Sequence, residues 1–134
     1  MTDHHAALIH TMVLASAADR GMRDAELRII GDIVNHLPVF ADYDHKRLAK
    51  DLDDCAALLG ADDGLENVLT RVRAALPAKL RETAYAVACD VVAADGAASQ
   101  EELRLLELLR ERFEVDPLIA AAIERGARAR FSRA

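Results

Sequence analysis

The residues of this chain whose types and spacing could do chemistry are carboxylates, and they come in matched pairs. Asp19 and Glu26 stand seven residues apart, as do Asp95 and Glu102. Carboxylates gathered in this way suit a hard divalent cation such as calcium, which takes oxygen ligands. Neither segment is an EF-hand, whose loop spreads its oxygens over about twelve residues with glycine at the sixth. Asp19-Arg20-Gly21-Met22-Arg23-Asp24-Ala25-Glu26 spans only eight. A cation site therefore has to join both segments, Asp19 and Glu26 with Asp95 and Glu102. Asp24 and Glu101 lie beside them as secondary candidates.

The same acids have a purely structural use. Ser99-Gln100-Glu101-Glu102 has the form of a capping box, and an acid in the first turn of a helix stabilises it unaided. That accounts for Glu102. It accounts less well for Glu26, because Arg23 stands where Ser99 stands in the other segment and an arginine cannot cap. Asp90 poses a separate question, since from Ala84 to Ala94 it is the only charged residue. A carboxylate in so apolar a stretch has to be paired, hydrogen-bonded or protonated. Either an arginine or helix-end amide meets it, or it points into the same acidic cluster as Asp95.

Nothing else in the chain has the form of a reaction centre. Catalysis needs a nucleophile beside a base, or a metal held by histidine and carboxylate at helical spacing. There is no H-E-x-x-H, no E-x-x-H and no glycine-rich phosphate loop. His4, His5, His10, His36 and His45 are scattered, and read as solvated or core residues. Cys55 and Cys89 are 34 residues apart with no C-x-x-C, so they read as buried small hydrophobes. The chain reads as non-catalytic.

Seven helices with short connections are expected to position these acids. The first covers about residues 3 to 18, with Leu8, Met12 and Ala15 at amphipathic spacing. The second carries Leu27, Ile30, Val34 and Leu37 on one face and is closed by Pro38. The third starts after Asp42 or Asp44 and runs to Gly60, which suits a helix end needing positive φ. Asp63 can cap the fourth, with Glu66 three residues on, and Val68, Leu69, Val72 and Leu76 follow. The fifth spans about residues 77 to 94 with Pro77 in its first turn, and being apolar nearly all round it belongs at the centre. The sixth, from Ser99 to about Phe113, presents Leu103, Leu106, Leu109 and Phe113. Asp116-Pro117 opens the seventh.

The spacing also reveals an internal repeat. A shift of 76 residues aligns Ala17-Ala18-Asp19 with Ala93-Ala94-Asp95, and Glu26-Leu27-Arg28-Ile29-Ile30 with Glu102-Leu103-Arg104-Leu105-Leu106, without a gap. Two helical hairpins, about residues 8–37 and 84–113, would then be related by pseudo-symmetry, each with an acidic turn.

Composition agrees with one all-α domain over residues 1–134. Apolar residues make up 52% and charged residues 30%, with no Trp, two Tyr and three Phe. That mixture favours closely packed helices over strands. The formal charge of −6 disfavours nucleic acid. Arg125, Arg128, Arg130 and Arg133 are the local exception, explained by the macrodipole of a helix C-terminus, or else by an acidic membrane surface or partner. The longest uncharged run is too short for a membrane span, and no leader or redox motif is present, so a cytoplasmic setting is expected.

The paired pattern resembles the tellurite-resistance TerB family and its TerB-like relatives. It is carried chiefly by Val92-Ala93-Ala94-Asp95-Gly96-Ala97-Ala98-Ser99-Gln100-Glu101-Glu102-Leu103, and secondarily by Ala17-Ala18-Asp19-Arg20-Gly21 with Asp24-Ala25-Glu26-Leu27. The resemblance implies a bundle of about seven helices in a cytoplasmic, non-enzymatic protein tied to tellurite resistance and chemical stress. It implies a family acidic motif falling on Asp19, Glu26, Asp95 and Glu102, suspected of binding metal, and protein partners within a resistance system. Arg20 departs from the pattern and sets a positive charge beside Asp19, so the second half is the stronger candidate.

Two functions are thus expected. In the first, the acidic turns bind a divalent cation. In the second, the acids only cap helices, and a groove between hairpins receives a partner helix.

Overall fold

The computed structural model describes residues 2–18, 24–94 and 96–134. Among the described residues there are seven α-helices: α1 (His4–Ser16), α2 (Asp24–His36), α3 (Leu48–Leu59), α4 (Gly64–Ala75), α5 (Arg81–Ala93), α6 (Gln100–Arg112) and α7 (Pro117–Phe131). Single 3-10 turns at Pro38–Phe40, His45–Arg47 and Ala78–Leu80 lie in the connections. Among the described residues there is no strand, and no helix is long and apolar enough to cross a membrane.

Two helices make the centre. The apolar run of α5 buries Ala84, Tyr85, Val87, Ala88, Cys89, Val91 and Val92, as its composition requires. α1 is its main neighbour, and every residue from His5 to Ser16 is buried. The amphipathic pattern expected for α1 is therefore corrected, because it has no wet face. Its polar atoms are satisfied locally: Thr11 Oγ1 donates to the Ala7 carbonyl at 2.8 Å, and Ser16 Oγ to that of Val13 at 3.0 Å. Such back-bonding lets a polar side chain enter a core. α3 and α4 pack on α1, while α6 and α7 pack on α5. α2 lies against both α1 and α5, and α6 likewise touches both.

The helix boundaries follow local chemistry. Asp3 caps α1 by accepting the Ala6 N–H at 2.8 Å. Ser99 and Glu102 form the expected capping box on α6, and Asp116 caps α7 ahead of Pro117. Three expectations are corrected. Gly60 ends α3 with φ −76 rather than positive φ. Asp63 stands at the α4 boundary but makes no side-chain cap bond, and takes the left-handed conformation itself, at φ 55. Pro77 precedes a 3-10 turn, and α5 begins only at Arg81.

The glycine that matters in the α3–α4 turn is Gly64. A Cβ there would lie 2.6 Å from the Leu58 carbonyl oxygen and 2.5 Å from that of Leu59. Only glycine lets α4 start so close to the end of α3.

Candidate functional site

The first turns of α2 and α6 carry Glu26 and Glu102, each the third residue of its helix. Both are buried, at 2% and 3% exposure. The Glu102 carboxylate accepts the Ser99 backbone N–H at 2.8 Å, and Ser99 Oγ accepts the Glu102 N–H at 3.1 Å. Amides at a helix N-terminus favour a carboxylate there, so the fold stabilises this negative charge. Asp19 and Asp95, the other two expected ligands, lie outside the described residues.

The inward turn of these acids redirects their neighbours. Successive helical residues point about 100° apart, so adjacent side chains cannot share one narrow stripe. The buried stripe of α2 runs Glu26, Ile30, Ile33, Val34, and that of α6 runs Glu102, Leu105, Leu106, Leu109. Leu27 and Leu103, expected on the buried faces, are instead 40% and 48% exposed. The acid has taken the inward place.

Asp90 meets an arginine, one of the two outcomes open from sequence. Its Oδ1 accepts from Arg130 Nη2 at 2.5 Å, joining α5 to α7. One step back along both helices, the Tyr85 hydroxyl donates to Glu124 at 2.6 Å, and Arg110 of α6 reaches the same carboxylate oxygen at 3.0 Å. The two rungs advance together, so α5 and α7 run in the same direction. Arg130 thus has a side-chain partner and does more than complement a helix dipole.

Among the described residues, no three His, Cys, Asp or Glu side chains gather as a metal would need. Four histidines meet backbone carbonyls: His5 Nε2 that of Val39 at 2.9 Å, His10 Nε2 that of Asp51 at 3.0 Å, His36 Nδ1 that of Asp32 at 2.9 Å and His45 Nε2 that of Val34 at 3.3 Å. Cys55 and Cys89 are free and buried, as expected, and burial pushes each thiol up to about 12. Such thiols are poor nucleophiles at neutral pH.

Comparison of the chain with protein-family models, curated proteins and solved structures finds no match.

One further feature is a groove of about 790 Å³ between α5, α6 and α7. Its apolar lining includes Cys89, Val92, Leu103, Leu106 and Phe131, and its polar lining includes Arg110, Glu124 and Arg128. It lies between the two helices of the second hairpin and α7, not between the two hairpins as expected. The signal that could have placed it is the pairing of Glu102 with Leu103, since an acid buried at the first position turns the next leucine out.

Proposed function

We propose that this chain is a non-catalytic, TerB-like stress-response module in which Asp19, Glu26, Asp95 and Glu102 bind a divalent cation. One observation carries the reading: Glu26 and Glu102 occupy the same place in two helices and are both almost wholly buried. Capping requires the glutamate at the third position but does not require it to be dry, and desolvating a carboxylate is costly. A cost incurred twice, in register, suits a shared role beyond capping.

The pseudo-repeat gains support from the helix bounds. α2 and α6 start and end at positions separated by the same 76 residues that align the sequence. Leu27 and Leu103, also in register, are both turned outward. Calcium fits an all-carboxylate donor set best.

The test is calorimetric titration of the metal-free protein with calcium, magnesium, manganese and zinc, beside the double variant Asp95→Asn, Glu102→Gln. Saturable heat in the parent that disappears in the variant supports the site. No heat from any cation, or equal heat in both proteins, removes it.

A second reading is favoured by the groove and by the capping box that already engages Glu102. In it the acids are helix caps, and the module works by binding a protein partner between α5, α6 and α7.

A further inference from the structure

The groove lining repeats at helical intervals on all three walls. Tyr85, Cys89 and Val92 come from α5, Leu103, Leu106 and Arg110 from α6, and Glu124, Arg128 and Phe131 from α7. From Tyr85 to Val92, at a rise of about 1.5 Å per residue, the trough is about 10 Å long, or two turns of a docked helix. Its floor is dry, because Cys89 and Val92 are 3% and 4% exposed. Its lip is Leu103, an apolar side chain nearly half in solvent.

Charge selects among occupants. The net charge of −6 lies wholly in residues 1–99, since residues 100–134 hold seven arginines against seven acids. Within α7 and the tail, Arg125, Arg128, Arg130 and Arg133 face only Glu124. Arg130 is engaged by Asp90, and Arg110 by Glu124. Arg128 and Arg133, which line the groove, have no ion-pair partner among the described residues. Glu107 stands on the α6 wall, so a trough with an apolar floor and two unengaged guanidiniums on its α7 wall complements an apolar stripe whose acids lie on the flank facing α7.

We infer that the α5–α6–α7 groove binds a short amphipathic helix with an apolar i, i+3, i+4, i+7 face and acidic flanks, supplied by a partner protein. This rests on the second reading above and names its partner's chemistry. The partner helix would set its apolar stripe between Leu103, Leu106 and Phe131 and turn its acids toward Arg128 and Arg133. Apolar burial supplies the affinity, and the arginines supply orientation and a salt-sensitive association rate.

The probe is a fluorescent, lactam-stapled peptide with leucines at those four positions and glutamates on its flanks. A matched peptide with lysine flanks and vesicles rich in phosphatidylserine accompany it, all in EDTA so that no cation contributes. Saturable binding of the acidic peptide is expected, weakened about tenfold or more by Leu103→Asp, as for a central apolar anchor. Arg128→Glu with Arg133→Glu should weaken it severalfold, most at low salt. All three positions lie outside the core, and unchanged helical circular dichroism and melting temperature verify the fold. Equal or tighter binding of the lysine peptide, lost in Leu103→Asp, keeps the groove as a partner site and overturns the acidic helix. Binding of neither peptide overturns both. Arginine-dependent vesicle binding without peptide binding overturns them in favour of a lipid surface.

Discussion

The hydroxyl of Tyr43 donates to the buried Asp51 carboxylate at 2.5 Å, closing the gap between the 43–47 segment and α3. Arg47 lies 3.4 Å from the same carboxylate oxygen, 3.1 Å from Asp3, and 5.1 Å from the centre of the Tyr43 ring. Burial first, then the Asp51 bond, raises the phenol above its ordinary range. Removing that one donor leaves Asp51 dry, with Arg47 alone to meet it. Tyr43→Phe is expected to cost about 1–3 kcal/mol, the penalty for an under-satisfied buried carboxylate. Urea denaturation gives this directly, and a loss below the error of the method would show that Arg47 suffices.

His10 makes stability depend on acid. Burial holds its imidazole below the usual range, against the opposing pull of the Asp51 carbonyl and the Asp51 and Asp54 charges, with Arg71 adding to the depression. Nε2 faces the Asp51 carbonyl, and Nδ1 is buried without a partner, so a second ring proton finds no acceptor. The unfolded chain then takes up that proton first. His10's contribution is complete above its unfolded pKa of about 6.5 and is lost as pH falls through that value toward the lower folded one. Urea midpoints between pH 8 and pH 5 should fall with acid, and His10→Gln should flatten the profile.

Two glycines should respond oppositely to alanine. At Gly64 the added methyl meets backbone oxygens that cannot step aside, so Gly64→Ala should destabilise by about 1–3 kcal/mol. At Gly31, within α2, nothing lies within 4 Å of the new atom. Gly31→Ala should stabilise by about 0.5–1 kcal/mol through helix propensity. Melting curves of the two variants, displaced to opposite sides of the parent, check both.

Cys55 and Cys89 are fully or nearly fully buried. Thiol reagents at neutral pH should therefore label them no faster than the protein opens. Labelling rates should rise steeply with urea and match the opening measured by hydrogen exchange. Fast labelling of either residue in native buffer would contradict this burial.

Much of the architecture was readable because its signals are local. Ser99 with Glu102, and Asp116 with Pro117, each fix a helix start through atoms a few residues apart, and both appear as expected. Burial was less readable because it depends on the whole assembly. Thr11 and Ser16 are polar in sequence, yet bond back into their own helix and let α1 enter the core. Leu27 and Leu103 look like core residues until the glutamates before them are seen to turn inward. Of the four acids that define the candidate site, sequence supplies the spacing, and the structure adds the burial of Glu26 and Glu102.

The position of α1 also bears on how the chain comes off the ribosome. α1 ends at Ser16, yet its main neighbour does not begin until Arg81. During synthesis this apolar segment can pack on α3 and α4 as they emerge, but it waits more than sixty residues for α5 to complete its seat. Early-formed apolar surface lacking its partner is the species that aggregates or engages chaperones. Translation speed through the α3–α4 region therefore sets how long this domain is vulnerable.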